Sequence, residues 1–433
     1  MKYLGYIFLL AGRFVLFPVY WLVGLMPRRP DLWVFGSWGG YRFADNSAAF
    51  FIHCNDAIDE QVTLVWISRR PDIVQHLRNQ GYTAYWIWSP GGIWNAMRAG
   101  LHIFDCFPKD ANFWLSRGAK KINLWSGVPL KVFERDIDNP GNRYYKLFHG
   151  NVLERGLLGL MMPWHLVKPD LIIATSDETA RITSRAFAVF DSQVCVTGFP
   201  RNDALIDPSM LTVRDPQKVP EVFRNAALSD KTVLLYLPTF RDTGGAFINF
   251  DWNVLDEQLG RNNAVLFFKT HPVDTSVYKT DYENIFLLPQ AVEVYSLLPG
   301  TDALISDYSS VIFDYMLLDR PIIYYTPDLV DFESGCRSFN FRPAEVAVGP
   351  LCISFEEFTR AIDQVCDNPA NVVYARRDEI MKRLHKFKDA RSNERVLRAI
   401  NDRCFGGKLV LNGETVGESN THSNQTAVLR LSD

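Results

Sequence analysis

The chain has almost no surplus charge: 46 lysines and arginines stand against 49 aspartates and glutamates over 433 residues, a formal net charge of −3. With no global basic field, bulk nucleic-acid binding has little support, and an anionic ligand must be held locally. The seven cysteines, Cys54, Cys106, Cys195, Cys336, Cys352, Cys366 and Cys404, never form a C-x-x-C pair. Scattered and odd in number, they argue against a disulfide framework or a structural zinc site and fit a reducing compartment. No cluster of metal-ligating side chains stands out, which leaves room only for a loosely held divalent cation. Also missing is a clean apolar run of the roughly 20 residues that a membrane-spanning helix needs. The apolar stretch from Tyr3 to Met26 is broken by Arg13 and Pro18 and closed by Pro27-Arg28-Arg29-Pro30, without the small-residue cleavage site of a signal peptide. An interfacial or re-entrant anchor over residues 1–30 is expected instead, with Tyr3, Tyr6, Tyr20 and Trp21 at head-group depth and Arg28 and Arg29 on anionic lipid.

What is abundant is material for cores, with 47% hydrophobic and 13% aromatic residues. The length suggests two large domains. Short apolar segments, each followed by a helix-like stretch, recur at 32–36, 62–68, 83–88, 101–104, 121–125, 171–175 and 193–197. The rhythm restarts at 232–237, 264–269, 284–287, 303–306 and 321–325. Alternation of this kind predicts βαβ units and parallel sheets. The expected fold is α/β: two Rossmann-like doubly wound domains in a GT-B-like arrangement, residues 31–200 on the acceptor side and 201–404 binding the donor. The boundary is marked by Pro208, Pro216 and Pro220. The tail 405–433, rich in Gly, Asn, Ser and Thr, is expected to be poorly ordered.

Three strand ends carry chemistry. In Ile305-Ser306-Asp307-Tyr308-Ser309-Ser310-Val311 a strand runs into a helix on adjacent serines, and a serine cap above free backbone N–H groups suits a phosphate. Capped helices with nothing bound are common, so this signal alone is weak. The turns Pro238-Thr239-Phe240-Arg241-Asp242 and Lys269-Thr270-His271-Pro272 lie on the same sheet edge in a doubly wound domain, so Arg241, His271, Ser309 and Ser310 are expected to converge.

These turns, followed by Phe313-Asp314, Arg320-Pro321-Ile322-Ile323-Tyr324-Tyr325-Thr326 and Asp328-Leu329, resemble the successive signatures of the CDP-glycerol glycerophosphotransferase family of teichoic acid primases and polymerases. Thr197-Gly198-Phe199-Pro200-Arg201-Asn202-Asp203 is similar to its inter-domain turn. The resemblance covers residues 31–400 and implies transfer of glycerol phosphate or ribitol phosphate from a CDP-polyol donor to a hydroxyl of a membrane-linked, polyprenyl or glycolipid, acceptor. CMP would be released during synthesis of a teichoic-acid-like or capsular polymer at the cytoplasmic membrane face. It further implies that His271 is catalytic or stabilises phosphate, that Thr239, Arg241, Ser309, Ser310, Asp314 and Arg337 serve the donor, and that Gly127 and Lys131 lie on the acceptor side.

One departure bears on mechanism. Where the family carries Trp-His-Gly-Thr-Pro-Leu-Lys, this chain reads Trp125-Ser126-Gly127-Val128-Pro129-Leu130-Lys131, with Ser126 at the position of the expected base. A lone serine hydroxyl does not accept a proton usefully near neutral pH. His149 as substitute, His271 as sole base, a reaction content with a weak base, and an impaired enzyme all stand as explanations. Two rival functions stand as well: a glycosyltransferase of the same architecture using a nucleotide sugar, and a non-catalytic membrane scaffold that lost its base at position 126.

Overall fold

The computed structural model describes residues 2–58, 62–142, 144–210, 219–239, 241, 250–270, 281–335 and 338–409, without the side chains of 2–11 and 333–335. Two wholly parallel sheets organise the chain. The first has the order β3-β2-β1-β4-β5-β6-β7, formed by Arg29–Gly36 (β1), Thr63–Ser68 (β2), Ala84–Trp86 (β3), Ala99–Phe104 (β4), Lys120–Asn123 (β5), Leu171–Ala174 (β6) and Val194–Val196 (β7). The second has the order β10-β9-β8-β11-β12-β13, from Thr232–Leu237 (β8), Ala264–Phe268 (β9), Ile285–Leu287 (β10), Ala303–Ser306 (β11), Ile322–Tyr325 (β12) and Leu351–Cys352 (β13). The strands are continuous apolar runs because helices cover both faces of a parallel sheet. Every residue of β4, β6, β9, β11 and β12 is accordingly buried. Strand order reverses between β1 and β4 in the first sheet and between β8 and β11 in the second. Loops diverge at such reversals and leave a crevice beyond the carboxyl ends of the strands.

The chain then returns to its first domain. The helix Ser392–Ile400 packs against the helix Asp45–Ala57. Its first N–H groups, those of Ser392 and Asn393, donate to the Asp203 carboxylate at 2.9 and 2.8 Å. Just beyond, Phe405 stacks on Trp33 of β1 with ring centroids 5.6 Å apart. Residues 410–433, most of the tail expected to be poorly ordered, lie outside the described residues.

The apolar amino-terminal stretch is one helix, Lys2–Val23, with Pro18 inside it. No described helix is long and apolar enough to cross a membrane. The helix is held by one face: Phe17 meets Trp114 edge-on at 5.4 Å, Tyr20 stacks on Phe113 at 4.8 Å, and Val23 is buried. Phe14, Val15, Trp21 and Leu22 remain exposed on the other, as does Leu25 just beyond the helix. Two sequence expectations are corrected here. Tyr20 belongs to the packed face, and Arg28 does not reach toward lipid. The Arg28 guanidinium turns inward to the carbonyls of Ala96, Leu115 and Arg117, and burial pushes its pKa down to about 10. Arg29 is exposed and pairs with Asp31.

Candidate active site

A cavity of about 450 Å³ opens where the two crevices face each other. From the first domain come the loop after β1, with Arg42 and Asp45, and the loop after β5, with Ser126 and Gly127. The second domain supplies Thr239 after β8, Lys269 and Thr270 after β9, Glu293 after β10, and Ser309 and Ser310 after β11.

The loop after β5 is held from both sides. Asn46 Nδ2 donates to the carbonyls of Leu124 (3.1 Å) and Trp125 (2.6 Å), and Asn123 Oδ1 accepts the Trp125 N–H at 2.8 Å. Trp125 takes a positive φ of 47°, so the chain turns sharply just before Ser126. Gly127 then lies so close to the second domain that a Cβ on it would stand 2.4 Å from Ser310 Oγ. Only a residue without a side chain permits that approach. Ser126 Oγ has Cys106 Sγ at 3.5 Å.

Arg201, from the turn between the domains, ties this loop down. Its guanidinium is buried, donates to the Ser126 carbonyl (2.8 Å) and to Asp314 Oδ2 (2.6 Å), and pairs with Asp45. Asp314 also accepts from Tyr295 Oη at 2.6 Å and Asn202 Nδ2 at 2.8 Å. Burial by itself would lower the Arg201 pKa, but Asp45, Tyr295 and Asp314 together hold it well above its usual value. One cation thus joins a carboxylate from each domain.

Arg241 plays a similar part at the β8/β11 reversal. It grips Asp328 through Nε (2.7 Å) and Nη2 (3.0 Å) and reaches Asp307 Oδ2 through Nη1 (2.8 Å). Asp307 in turn accepts from the backbone N–H and hydroxyl of Thr239. Arg241 and Asp314, assigned to the donor by resemblance, therefore have their charges engaged within the protein, while Thr239, Ser309 and Ser310 face the cavity. The helix after the serines, Val311–Tyr315, is short, and Ser310 makes no side-chain cap bond; the Val311 N–H reaches Ser309 Oγ at 3.4 Å. The serine hydroxyls are not the regular cap that the sequence suggested.

Lys131 lines the cavity with its ammonium 4.9 Å from the centre of the Phe332 ring. His149 stands elsewhere: it is exposed, packs on Tyr145, and places Nε2 2.9 Å from the Arg135 carbonyl. His271 and Arg337 lie outside the described residues.

Sequence reasoning passed over two titratable groups of the cavity that are shifted toward neutral pH. Burial pushes the Glu293 carboxyl up to about 7, against the pull of a Ser296 N–H at 2.9 Å and with further lift from Asp45. Burial, helped by Arg42, pushes Lys269 down to about 8. Lys269 donates to the carbonyl and side-chain oxygens of Gln290, both at 3.2 Å. Glu293 belongs to no motif of the sequence, whereas Lys269 opens the turn that ends in His271-Pro272. Among the described residues no group of three or more His, Cys, Asp or Glu side chains is placed to hold a metal ion.

The family model for CDP-Glycerol:Poly(glycerophosphate) glycerophosphotransferase matches residues 19–402. The chain belongs to this family. It is a transferase of the glycerophosphotransferase kind, and the match spans both domains and every loop of the cavity. Among its relatives is a teichoic acid poly(glycerol phosphate) polymerase of Bacillus spizizenii, 27% identical over 370 residues that cover 79% of this chain and 86% of that one. A teichoic acid glycerol-phosphate transferase of Staphylococcus aureus is 25% identical, over 88% of this chain and 95% of its own length. The solved structure of the wall teichoic acid polymerase TagF superposes with a TM-score of 0.68 at 21% identity, covering 90% of this chain and 94% of that chain. That likeness establishes the shared fold of the glycerophosphotransferases, and the chemistry must be argued from the cavity.

Proposed function

We propose that this glycerophosphotransferase moves a polyol phosphate from a CDP-activated donor to a hydroxyl of a membrane-linked acceptor in teichoic acid synthesis, with Glu293 as the proton acceptor. The acceptor oxygen attacks the distal phosphorus of the donor pyrophosphate. A new P–O bond forms, the bond from that phosphorus to the bridging oxygen breaks, and CMP leaves with the bridging oxygen. The hydroxyl proton passes to the Glu293 carboxylate. The observation that carries this reading is the single cavity in which donor-side Ser309 and Ser310 meet acceptor-side Ser126 and Gly127, with Glu293 and Lys269 both brought close to neutral pH. A base works best with a pKa near the working pH, and the half-buried Glu293 carboxylate near 7 meets that condition as a lone serine does not.

Lys269 and Arg42 supply positive charge for the phosphates, the role of preorganised cations in phosphoryl transfer. His271 directly follows Thr270, a wall residue, and is assigned to the transferring phosphate, with Arg337 on the donor. Arg241 acts indirectly by holding Thr239 and the Asp307–Ser310 turn in place. Peripheral attachment at the cytoplasmic membrane face is supported by the exposed apolar side chains of the helix Lys2–Val23 and by Val152, Leu153 and Leu157 on the helix Val152–Met161, which it contacts.

The test is release of CMP with membranes as the acceptor source, offering CDP-glycerol, CDP-ribitol and nucleotide sugars in parallel. Release from a CDP-polyol is expected. Turnover of a nucleotide sugar alone would overturn the reading, and binding of CDP-polyol without CMP release would leave a scaffold.

A further inference from the structure

A second cavity, of about 240 Å³, lies on the other side of the loop after β1. Trp38 and Arg42 of that loop face the transfer cavity, while Gly39 and Tyr41 face this one. Its walls also carry three cations from separate parts of the first domain: Arg13 from the amino-terminal helix, Arg69 after β2, and Lys109 after β4. Among the described residues none of the three makes a salt bridge.

The cations are instead laid over aromatic rings. The Arg13 guanidinium sits 5.1 Å from the Trp114 ring centre and 4.9 Å from that of Trp164, and Lys109 Nζ is 5.0 Å from Trp164. Arg69 is fixed by its Nε donating to the Gly39 carbonyl at 2.8 Å. Among the described residues the neighbouring carboxylates form no ion pair with them, although Asp110 feels the charge of Lys109. Asp110 accepts the N–H groups of Gly39 and Cys106 at 2.8 and 2.9 Å, and Glu134 pairs with His165 at 3.0 Å. Burial and the like charge of Arg69 both lower the Arg13 pKa. Trp164 Nε1 is buried and finds no acceptor among the described residues. Gathering like charges without a counter-ion costs stability that a bound anion would return.

We propose that this cavity is an anion subsite that takes the phosphate of a lipid head group. The inference rests on the reading of the amino-terminal helix as an interfacial one. Arg13 is followed directly by exposed Phe14 and Val15, and Trp164 lies just beyond the helix Val152–Met161, whose Val152, Leu153 and Leu157 are exposed. The cations therefore stand beside the apolar surface that would enter the lipid. Guanidinium and ammonium groups match a phosphate, which presents several acceptor oxygens. A phosphate held there is separated from the transfer cavity by one loop.

The test uses the full chain and three vesicle types: phosphatidylcholine alone, phosphatidylcholine with phosphatidic acid, and phosphatidylcholine with a fatty acid at the same surface charge. Wild type is expected to partition onto the phosphatidic acid vesicles about tenfold more strongly than onto the fatty acid ones, the scale of one or two charge-assisted hydrogen bonds. Arg13→Gln and Lys109→Gln are expected to erase that preference while keeping the melting temperature and the partition onto phosphatidylcholine. Equal partition onto the two charged surfaces, or a preference surviving in both variants, would overturn the subsite. Inorganic pyrophosphate binding as tightly as the phosphate lipid, read by tryptophan fluorescence, would overturn the lipid source. Absence of partition onto every vesicle would sink the interfacial reading instead, so the two failures are distinct.

Discussion

With Glu293 as base and Lys269 on the phosphates, these two residues should set the pH dependence of transfer. A base must be deprotonated, so activity should rise as pH increases through about 7, the value to which burial lifts Glu293. Lys269 must be protonated to hold phosphate, so activity should fall as pH increases through about 8. The expected kcat/KM profile is a narrow bell between those values. Glu293→Gln should lose activity by roughly 10²- to 10⁴-fold and remove the rising limb, while Lys269→Arg should move the falling limb upward. A rising limb that persists in Glu293→Gln would return the base to His271, and loss of turnover in His149→Ala alone would move it to that exposed residue. Arg201 is a residue of another kind. Its removal strands Asp45 and Asp314 without their shared cation, and Arg201→Ala should lower the unfolding free energy by about 3 to 5 kcal/mol in a urea titration. An unchanged midpoint would mean that the pairs add nothing beyond geometry. Neither Glu293 nor the Arg201 network was legible from residue type. Their importance lies in what surrounds them, and burial is a tertiary property.

The loop after β5 depends on the close approach of Gly127 to Ser310. Gly127→Ala should push the two domains' loops apart and lower kcat/KM at least tenfold with little effect on overall stability, since a misplacement of about 1 Å at a reacting centre is costly. Adding Ser310→Gly to Gly127→Ala should recover part of the loss if the clash is the cause, and no recovery would show that the Ser310 hydroxyl is itself needed. The amino-terminal helix has two unlike faces. Its packed face covers Phe113 and Trp114, so deleting the whole helix would uncover core as well as remove an anchor. Leu22→Ser with Leu25→Ser is the cleaner change: both side chains are exposed, and sedimentation with membranes should fall while the melting temperature holds. Retained sedimentation would place the contact elsewhere. At this scale the strands were legible except β13, whose two residues are too few to make an apolar run; a longer buried parallel strand is a short apolar run whatever surrounds it. The direction of each helix face was not: Arg28 turns inward to carbonyls 68 to 89 residues away, which no local pattern announces.

Across the whole molecule, the chain passes from the first domain to the second and back. Asp203 anchors the return by accepting the N–H groups of Ser392 and Asn393 and the side-chain amide of Asn393. Asp203→Ala leaves buried donors unpaired, at a cost of about 1 to 3 kcal/mol. The expected outcome is a lower urea midpoint with both sheets still unfolding together, and separate transitions would show that the returning helix is what couples the domains. Sequence alone determined the two parallel sheets, the strand ends on which chemistry is built, and the family to which the turns belong, because these follow from local apolar runs and from residue order. Only the tertiary structure decided which charged groups are free to act. Arg241 and Asp314 lie inside the matched turns yet are neutralised by partners up to 113 residues away, while Glu293, outside any motif, is lifted toward neutrality by burial between two domains. A charge's partner and its solvent are set by contacts distant in the chain, and no local pattern records them.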